Sequence, residues 1–268
     1  MTSPWPVAEL QAELDGLMPG FAVEVLAEVD STNTELMRRA RAGRAVPSLL
    51  VAERQTAGRG RLGRPWQSAG GKPFADDDSL TFSIGLPLTP ADWSGLSLAV
   101  GVSVAESLDP EGSVLRLKWP NDLWTVQDRK LGGILIETAV PQASNAQRYL
   151  VIGVGLNIGP RDPAGLSMPP AWLREFRPEA SGPRILAGMV APLVRSVLGF
   201  AEHGFPAFAE CFAARDALRG RDVRLSDGTS GRCEGVGAGG ELKVRTATGV
   251  QSVTSAEVSV RPAEAVPS

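Results

Sequence analysis

Val114-Leu115-Arg116-Leu117-Lys118-Trp119-Pro120-Asn121-Asp122 alternates apolar and charged side chains until a proline stops it. Alternation with period two is a strand signal, and it places Leu115, Leu117 and Trp119 on one face with Arg116 and Lys118 on the other. Pro120 cannot donate to a sheet ladder, so the chain turns there. Leu123 to Val126 and Leu131 to Thr138 then flank Gln127-Asp128-Arg129, the pattern of a hairpin. This stretch reads as sheet.

Upstream, Leu96 to Leu108 fits two periods. Leu96, Leu98, Val100, Val102 and Val104 recur every second residue, whereas Leu96, Val100, Val104 and Leu108 recur every fourth; the pattern alone favours a strand. Ser79 to Leu86 alternates Leu80, Phe82, Ile84 and Leu86, the mark of a half-buried strand. Ser48 to Glu53 is a short apolar strand that runs into Gln55-Thr56-Ala57-Gly58-Arg59-Gly60-Arg61-Leu62-Gly63-Arg64, a loop by its glycine and arginine content. Thr32-Asn33-Thr34-Glu35 reads as a capping box, opening a helix that Gly43 ends. Downstream, Arg148 to Ile158 is a β-branched strand, and Pro160 to Pro183 is mainly loop with a helical turn near Trp172. Helices are predicted over Pro183 to Glu202 and Phe205 to Ala217. After Gly220, short strands alternate with glycine turns as far as Val260, which predicts a small β-barrel of about 45 residues beginning near Leu218.

The chain has 268 residues, with 27 Lys+Arg against 30 Asp+Glu and 43% apolar residues. That length gives one large domain, or one large and one small, with a core that needs no staples. A formal charge of −3 and a pI of about 5.4 exclude a broadly basic nucleic-acid binder. Cys211 and Cys233 fit neither a disulfide framework nor a zinc pattern and point to a reducing, cytoplasmic setting. His203 stands alone, which rules out a multi-histidine metal site, and reads as a helix-end or surface residue. Met1 to Gly20 has no signal-peptide pattern, and apolar runs such as Tyr149 to Leu156 fall short of a membrane span.

Several segments carry chemistry. Gly58 to Trp66 interleaves glycines, which let a backbone approach a phosphate, with arginines, whose forked donors suit phosphate or carboxylate. The same segment could be a solvated basic loop. Lys118, at a strand end, could stabilise developing negative charge or simply pair with Asp122. Gly132-Gly133 and Gly153-Val154-Gly155 place glycines inside strands, where they mark a bulge, a backbone pressed against a ligand, or room for a helix. Asn157 ends the second of these strands with both a donor and an acceptor.

Taken in order, the motifs are more specific than any one alone. Ser31-Thr32-Asn33, Gln55 with Gly58-Arg59-Gly60-Arg61-Leu62-Gly63-Arg64 and Trp66, Lys118-Trp119-Pro120-Asn121-Asp122-Leu123, Lys130-Leu131-Gly132-Gly133-Ile134-Leu135 and Gly153-Val154-Gly155-Leu156-Asn157 closely resemble the biotin–protein ligases, from Val29 to Ile158. The resemblance implies an α+β fold. A class II synthetase-like catalytic domain over 1–217, a mixed β-sheet with helices packed on one side, would precede a small SH3-like β-barrel over 218–264. It also implies that Leu96 to Leu108 is a helix, and we adopt the helix over the period-two pattern.

The activity the resemblance implies has two steps. Biotin and ATP give biotinyl-5′-AMP and diphosphate, and biotin then passes to a lysine of a biotin carboxyl carrier protein, typically the acetyl-CoA carboxylase subunit. Carried over by motif, Ser31, Thr32, Asn33, Gln55, Arg59, Gly60, Arg61, Lys118, Gly133 and Gly153 would line the biotin site. Arg64, Trp66, Asn121 and Asn157 would meet the nucleotide. Arg61 and Lys118 would be catalytic, because the biotin carboxylate and the α-phosphate of ATP are both anions and need cations between them. Mg²⁺ is expected to shield the departing diphosphate. The resemblance is compatible with a monomer or a homodimer, and no membrane partner is expected.

This chain departs from the family pattern in three places. Gln67 to Ser79, with Gly70-Gly71-Lys72 and Asp76-Asp77-Asp78, is longer than usual and is expected to be an acidic loop at the rim of the site. Leu62 stands where many relatives carry another arginine. Residues 1–28 leave no room for an N-terminal helix-turn-helix, so binding to operator DNA is not expected. Lipoate–protein ligases share the implied fold and adenylation, and a non-catalytic regulator could hold biotin or its adenylate. The arginine loop and Lys118-Trp119-Pro120-Asn121-Asp122 resemble the biotin branch. Residues 58–64 are expected to be mobile until a ligand orders them, since fixing glycines costs entropy.

Overall fold

The strand expected to end at Pro120 forms and builds one edge of a seven-stranded sheet. The computed structural model describes residues 5–67, 78–141, 148–164, 166, 168–254 and 260–262. The chain opens with helix α1 (Val7–Leu17), strand β1 (Ala22–Val29), helix α2 (Thr32–Arg41) and strands β2 (Ser48–Gln55) and β3 (Ser79–Pro87). Helix α3 (Leu96–Leu108) leads into β4 (Leu115–Lys118), β5 (Asp122–Thr125), β6 (Lys130–Ala139) and β7 (Tyr149–Asn157). Helices α4 (Gly182–His203) and α5 (Ala209–Arg215) follow. The chain closes with β8 (Asp222–Leu225), β9 (Ser230–Val236), β10 (Leu242–Thr246), β11 (Gly249–Val253) and β12 (Val260–Pro262).

The large sheet runs β1-β2-β3-β7-β6-β5-β4. Only β1 and β2 pair in parallel, so the sheet is mixed, as expected. The β5–β6 hairpin turns where Gln127-Asp128-Arg129 predicted, with Asp128 at φ 59° and a register shift between Leu123 and Trp124. Leu115, Leu117 and Trp119 enter the core, and Lys118 points the other way.

The helices do not all lie on one side. Leu80, Phe82, Ile84 and Leu86 of β3, with Leu150, Ile152, Val154 and Leu156 of β7, join α1, α3 and α4 in the main core. The alternate residues Tyr149 and Val151 meet Leu36, Met37 and Ala40 of α2 in a second cluster on the opposite face. A sheet of this width exposes two apolar faces, and α2 covers part of the second.

Four other expectations are revised. Ser31, not Thr32, caps α2: its hydroxyl accepts from Thr34 N at 3.4 Å. Strand β3 is buried on both faces rather than half-buried, because Thr81 and Ser83 lie beneath α2 and its neighbours. The segment expected to be one helix from Phe205 splits into a 3-10 turn, Phe205–Phe208, and the short α5. The C-terminal unit is an open antiparallel sheet of order β11-β10-β9-β8-β12, not a closed barrel. Its edge strand β11 is almost wholly exposed, so among the described residues it has no inner face on which to close.

Helix α3 forms, although its sequence looked like a strand. Nearly every residue from Leu96 to Ala105 is buried, so no polar face exists to mark the helical period. Helix α4, 22 residues long, is long and apolar enough by length and composition to cross a membrane, although no single apolar run in the sequence is that long. Here Ile185, Leu186, Met189, Val190, Leu193 and Val197 bury its inner face in the core. His203 ends that helix, exposed beside Glu202, as expected.

Candidate active site

On the face of the sheet that α2 half covers, the odd-numbered residues of β7 change character along the strand. Tyr149 and Val151 belong to the α2 cluster, then Gly153, Gly155 and Asn157 border a cavity of about 420 Å³. The glycines make room for side chains of the protein. A Cβ at Gly153 would lie 2.2 Å from Asn33 Oδ1, and one at Gly155 would lie 2.5 Å from Trp66 Cε2. At Gly153 the room expected for a helix is taken by α2, and Gly155 makes similar room for the arginine loop.

Polar groups close the α2 end. Thr32 donates from its backbone N–H (2.7 Å) and its hydroxyl (3.2 Å) to Gln55 Oε1. Ser83 Oγ lies 2.7 Å from Thr32 Oγ1 and 2.6 Å from Asn33 Oδ1. Asn33 Nδ2 donates to Leu135 O at 3.2 Å and to Glu137 Oε2 at 3.0 Å. Asn33, bonded to the protein through both ends of its amide, braces this end and borders the cavity with Ser31, Thr32 and Gln55. Arg59 Nη2 donates to Glu137 Oε1 at 3.0 Å, so one carboxylate ties the arginine loop to α2. Ser83 and Glu137 carry no motif of their own. Sheet register brings them in, with Glu137 opposite Val151 and Ser83 opposite Gly153.

The arginine loop forms one wall. Its neck is fastened by Trp66 N donating to Gly58 O (2.8 Å) and Gly60 N to Arg64 O (2.7 Å). At the tip, Arg61–Gly63 make a single 3-10 turn with Leu62 at φ 56° and exposed. Gly60, Arg61, Arg64 and Trp66 all face the cavity. Arg61 is half-buried, and burial holds its guanidinium below the usual arginine range, with Asp122 opposing. Asn121 donates from Nδ2 to Ile134 O at 2.7 Å and sits 3.5 Å from Arg61 Nη1.

Opposite the loop, Asp122 stands between two ammonium groups: Lys130 Nζ at 2.7 Å and Lys118 Nζ at 3.8 Å. Burial works to raise the Asp122 carboxyl, and Lys130 and Lys118 overcome it, so the group stays below the usual carboxylate range. Lys118 is 8% exposed and lies 5.1 Å from the centroid of the Trp124 ring. Burial pushes its pKa down to about 8 against the pull of Asp122, with Lys130, Arg64 and Arg61 adding to the depression. Lys118 pairs with Asp122, as one of its two readings expected, and it also lines the cavity. Lys130 also lines the cavity and stands within a sequence motif, but no role followed from the motif. The β5–β6 pairing sets it beside Asp122.

At the far end, Asn157 borders the cavity, but its Nδ2 donates to Ala171 O (2.9 Å) and Lys130 O (3.3 Å), and its Oδ1 accepts from Arg161 Nε (2.9 Å). Of the segment expected to be an acidic loop, residues 68–77 lie outside the described residues. Asp78 is not loose: it is buried, its carboxylate takes Arg174 Nη1 at 2.7 Å, and its carbonyl accepts from Ile158 N. In all, seven Lys or Arg side chains against two Asp border the cavity, which therefore suits a polyanion.

A family model described as the biotin/lipoate A/B protein ligase family matches residues 25–157. The bifunctional ligase/repressor BirA of Escherichia coli (strain K12) is 34% identical over 271 residues, covering 97% of this chain and 81% of the relative. The biotin–[acetyl-CoA-carboxylase] ligase of Paracoccus denitrificans is 30% identical over 243 residues, covering 87% of this chain and 98% of that one. Among solved structures, the biotin protein ligase from Aquifex aeolicus in complex with biotin and ATP superposes with a TM-score of 0.75 at 28% identity, covering 90% of this chain and 99% of that chain.

Proposed function

This chain belongs to the biotin/lipoate A/B protein ligase family, and from that membership we propose that it is an ATP-dependent biotin–protein ligase. The observation that carries this reading is a single cavity with uncharged hydrogen-bonding groups at one end and clustered cations in its middle. Biotin matches that order, with a neutral ureido ring at one end and a carboxylate at the other. In the first step the biotin carboxylate attacks the α-phosphorus of ATP, the bond to the bridging oxygen breaks, and diphosphate leaves. In the second, a neutral lysine amine of the acceptor attacks the biotinyl carbonyl and AMP leaves.

Ser31, Thr32 and Gln55 meet the ureido ring, held by Asn33, Ser83 and the packing at Gly153. Arg59 and Gly60 cover the biotin chain. Arg61 and Lys118 offset the repulsion between carboxylate and phosphate, and Lys130 joins them from across Asp122, with Gly133 leaving the space open. Arg64, Trp66, Asn121 and Asn157 form the nucleotide side. Among the described residues no group of three His, Cys, Asp or Glu converges, and Asp122 is already held by two lysines. In this reading Mg²⁺ arrives with the substrate, as the metal complex of ATP, and needs no cage among the described residues.

The acceptor is a carboxylase's carrier protein, and the biotin carboxyl carrier protein of acetyl-CoA carboxylase is the specific candidate. The cytoplasm is the proposed location, supported by the two free thiols Cys211 and Cys233. The test is ATP–diphosphate exchange with biotin or with lipoate. Exchange with biotin alone is expected, and Lys118→Ala should slow it about 10²–10³-fold, the scale of losing one transition-state donor. Exchange with lipoate alone would move the chain to the other branch of the family. Tight biotin binding without exchange would make it a non-catalytic regulator.

A further inference from the structure

Arg161 lies beyond the end of β7 and borders the cavity at the end away from α2. Two acceptors fix its orientation: Asn157 Oδ1 takes Nε at 2.9 Å, and Asp78 O takes Nη2 at 3.1 Å. A guanidinium carries five N–H donors, and these bonds commit two of them. Among the described residues no carboxylate forms an ion pair with Arg161, since the Asp78 carboxylate is held by Arg174 at 2.7 Å. The side chain is nonetheless largely withdrawn from water, and burial pushes its pKa down to about 10, with Asp78 opposing. A cation held this way, aimed but lacking an anionic partner, costs stability in the empty protein unless a ligand uses it.

Strand geometry says which half of the ligand. At about 3.3 Å per residue, Asn157 stands roughly 13 Å along β7 from Gly153, where Asn33 closes the uncharged end. The cations that would bridge carboxylate and phosphate lie between. We propose that Arg161 binds the nucleotide half of the substrate, donating to phosphate or ribose oxygens of ATP, and that Asn157 is the positioning residue that aims it. Asn157 has its own amide engaged on both sides, so its contribution to nucleotide binding passes through Arg161. This inference rests on the adenylation reading above.

The experiment is ATP–diphosphate exchange with separate KM values for ATP and biotin, on the unaltered protein, Arg161→Gln and Arg161→Lys. Arg161→Gln should raise the KM for ATP about 10- to 100-fold, the scale of a hydrogen bond to a charged group, and leave that for biotin within about twofold. Arg161→Lys should recover part of the loss. An unchanged KM for ATP, or both KM values rising together, overturns the proposal and leaves Arg161 as a brace for Asp78 and Asn157. If Arg161→Gln does not fold, the unaltered protein decides by its reaction with phenylglyoxal, mapped by peptide mass spectrometry. A non-hydrolysable ATP analogue added with biotin should shield Arg161, whereas biotin alone should not; equal modification in the two samples overturns the proposal. Unaltered protein that exchanges with neither biotin nor lipoate refutes the parent reading, and the shielding result then judges Arg161 by itself.

Discussion

At Lys118 the charge proposed to serve the reaction works against the fold. Burial lowers its pKa to about 8 from 10.5, so the folded protein holds this proton less tightly than the unfolded chain does. Below pH 8 both states carry the charge and the penalty is constant, on the order of 3 kcal/mol. Between pH 8 and 10.5 the unfolded chain binds more protons, so this group makes the protein more stable as pH rises. Activity should run the other way, because only the ammonium can stabilise the anionic transition state. Exchange should fall about tenfold per pH unit above pH 8, a limb absent from Lys118→Arg if that variant retains activity. Lys118→Met leaves Asp122 paired with Lys130 at 2.7 Å, so it strands no buried charge. We expect its thermal midpoint to rise, by about 2–4 °C for each kcal/mol recovered, while exchange is lost. A midpoint well below that of the unaltered protein would show that the Asp122 pairing outweighs the cost of burial.

Strand β7 shows at the level of an element how a fold is converted into a site. Its even residues are uniformly apolar and its odd residues pass from packing to glycine to Asn157, so one strand faces the core on one side and the cavity on the other. Gly153→Ala would set a methyl 2.2 Å from Asn33 Oδ1, forcing Asn33 off Leu135 O, Glu137 and Ser83 together. The expected cost is about 2–4 kcal/mol with a higher KM for biotin, read by urea denaturation and by exchange kinetics. The arginine loop is the opposite kind of element, fastened at Gly58 and Trp66 with its Leu62 tip in solvent. Biotin should slow amide exchange in residues 60–63 and leave the paired core of β7 unchanged; equal rates with and without biotin would mean the loop is already set. Much of this architecture is legible in the sequence. Alternation marks β3 and β4, the Gln127-Asp128-Arg129 turn marks β5 and β6, and glycine-arginine interleaving marks the loop. Alternation alone misplaces α3, because burial on all sides erases the helical period. Ser83 and Glu137, which brace Asn33, and Arg161, which borders the cavity, escape a reading by motif, since register or the bend after a strand puts each in place.

Across the whole molecule, the change of texture near Leu218 separates two sheets but not two cores. Val223, Leu225, Leu242, Val244 and Val260 of the small sheet belong to the same buried cluster as α3 and β4. Trp119, fully buried at the end of the motif strand, donates Nε1 to Gly240 O at 3.0 Å. Backbone meets backbone beside it: a Cβ at Gly240 would lie 2.6 Å from Gly95 Cα, at the start of α3. Arg221 pairs with Asp128 in the β5–β6 turn at 2.7 Å, and Val260 and Arg261 border the cavity itself. Independent domains joined by a polar interface would unfold in separate steps, whereas one shared apolar core makes the loss of either sheet costly to the other. We therefore expect a single calorimetric transition whose van 't Hoff and calorimetric enthalpies agree. Trp119→Phe leaves Gly240 O without its donor at a buried site and should cost about 1–3 kcal/mol, lowering that one midpoint without splitting it. If the variant instead separates an early transition of the small sheet from a later one of the large sheet, the two units are held together by Trp119 and little else. An unsplit transition would mean that the proposed adenylation site and the C-terminal sheet stand or fall together, so that truncation after Leu218 should remove exchange as completely as loss of Arg61.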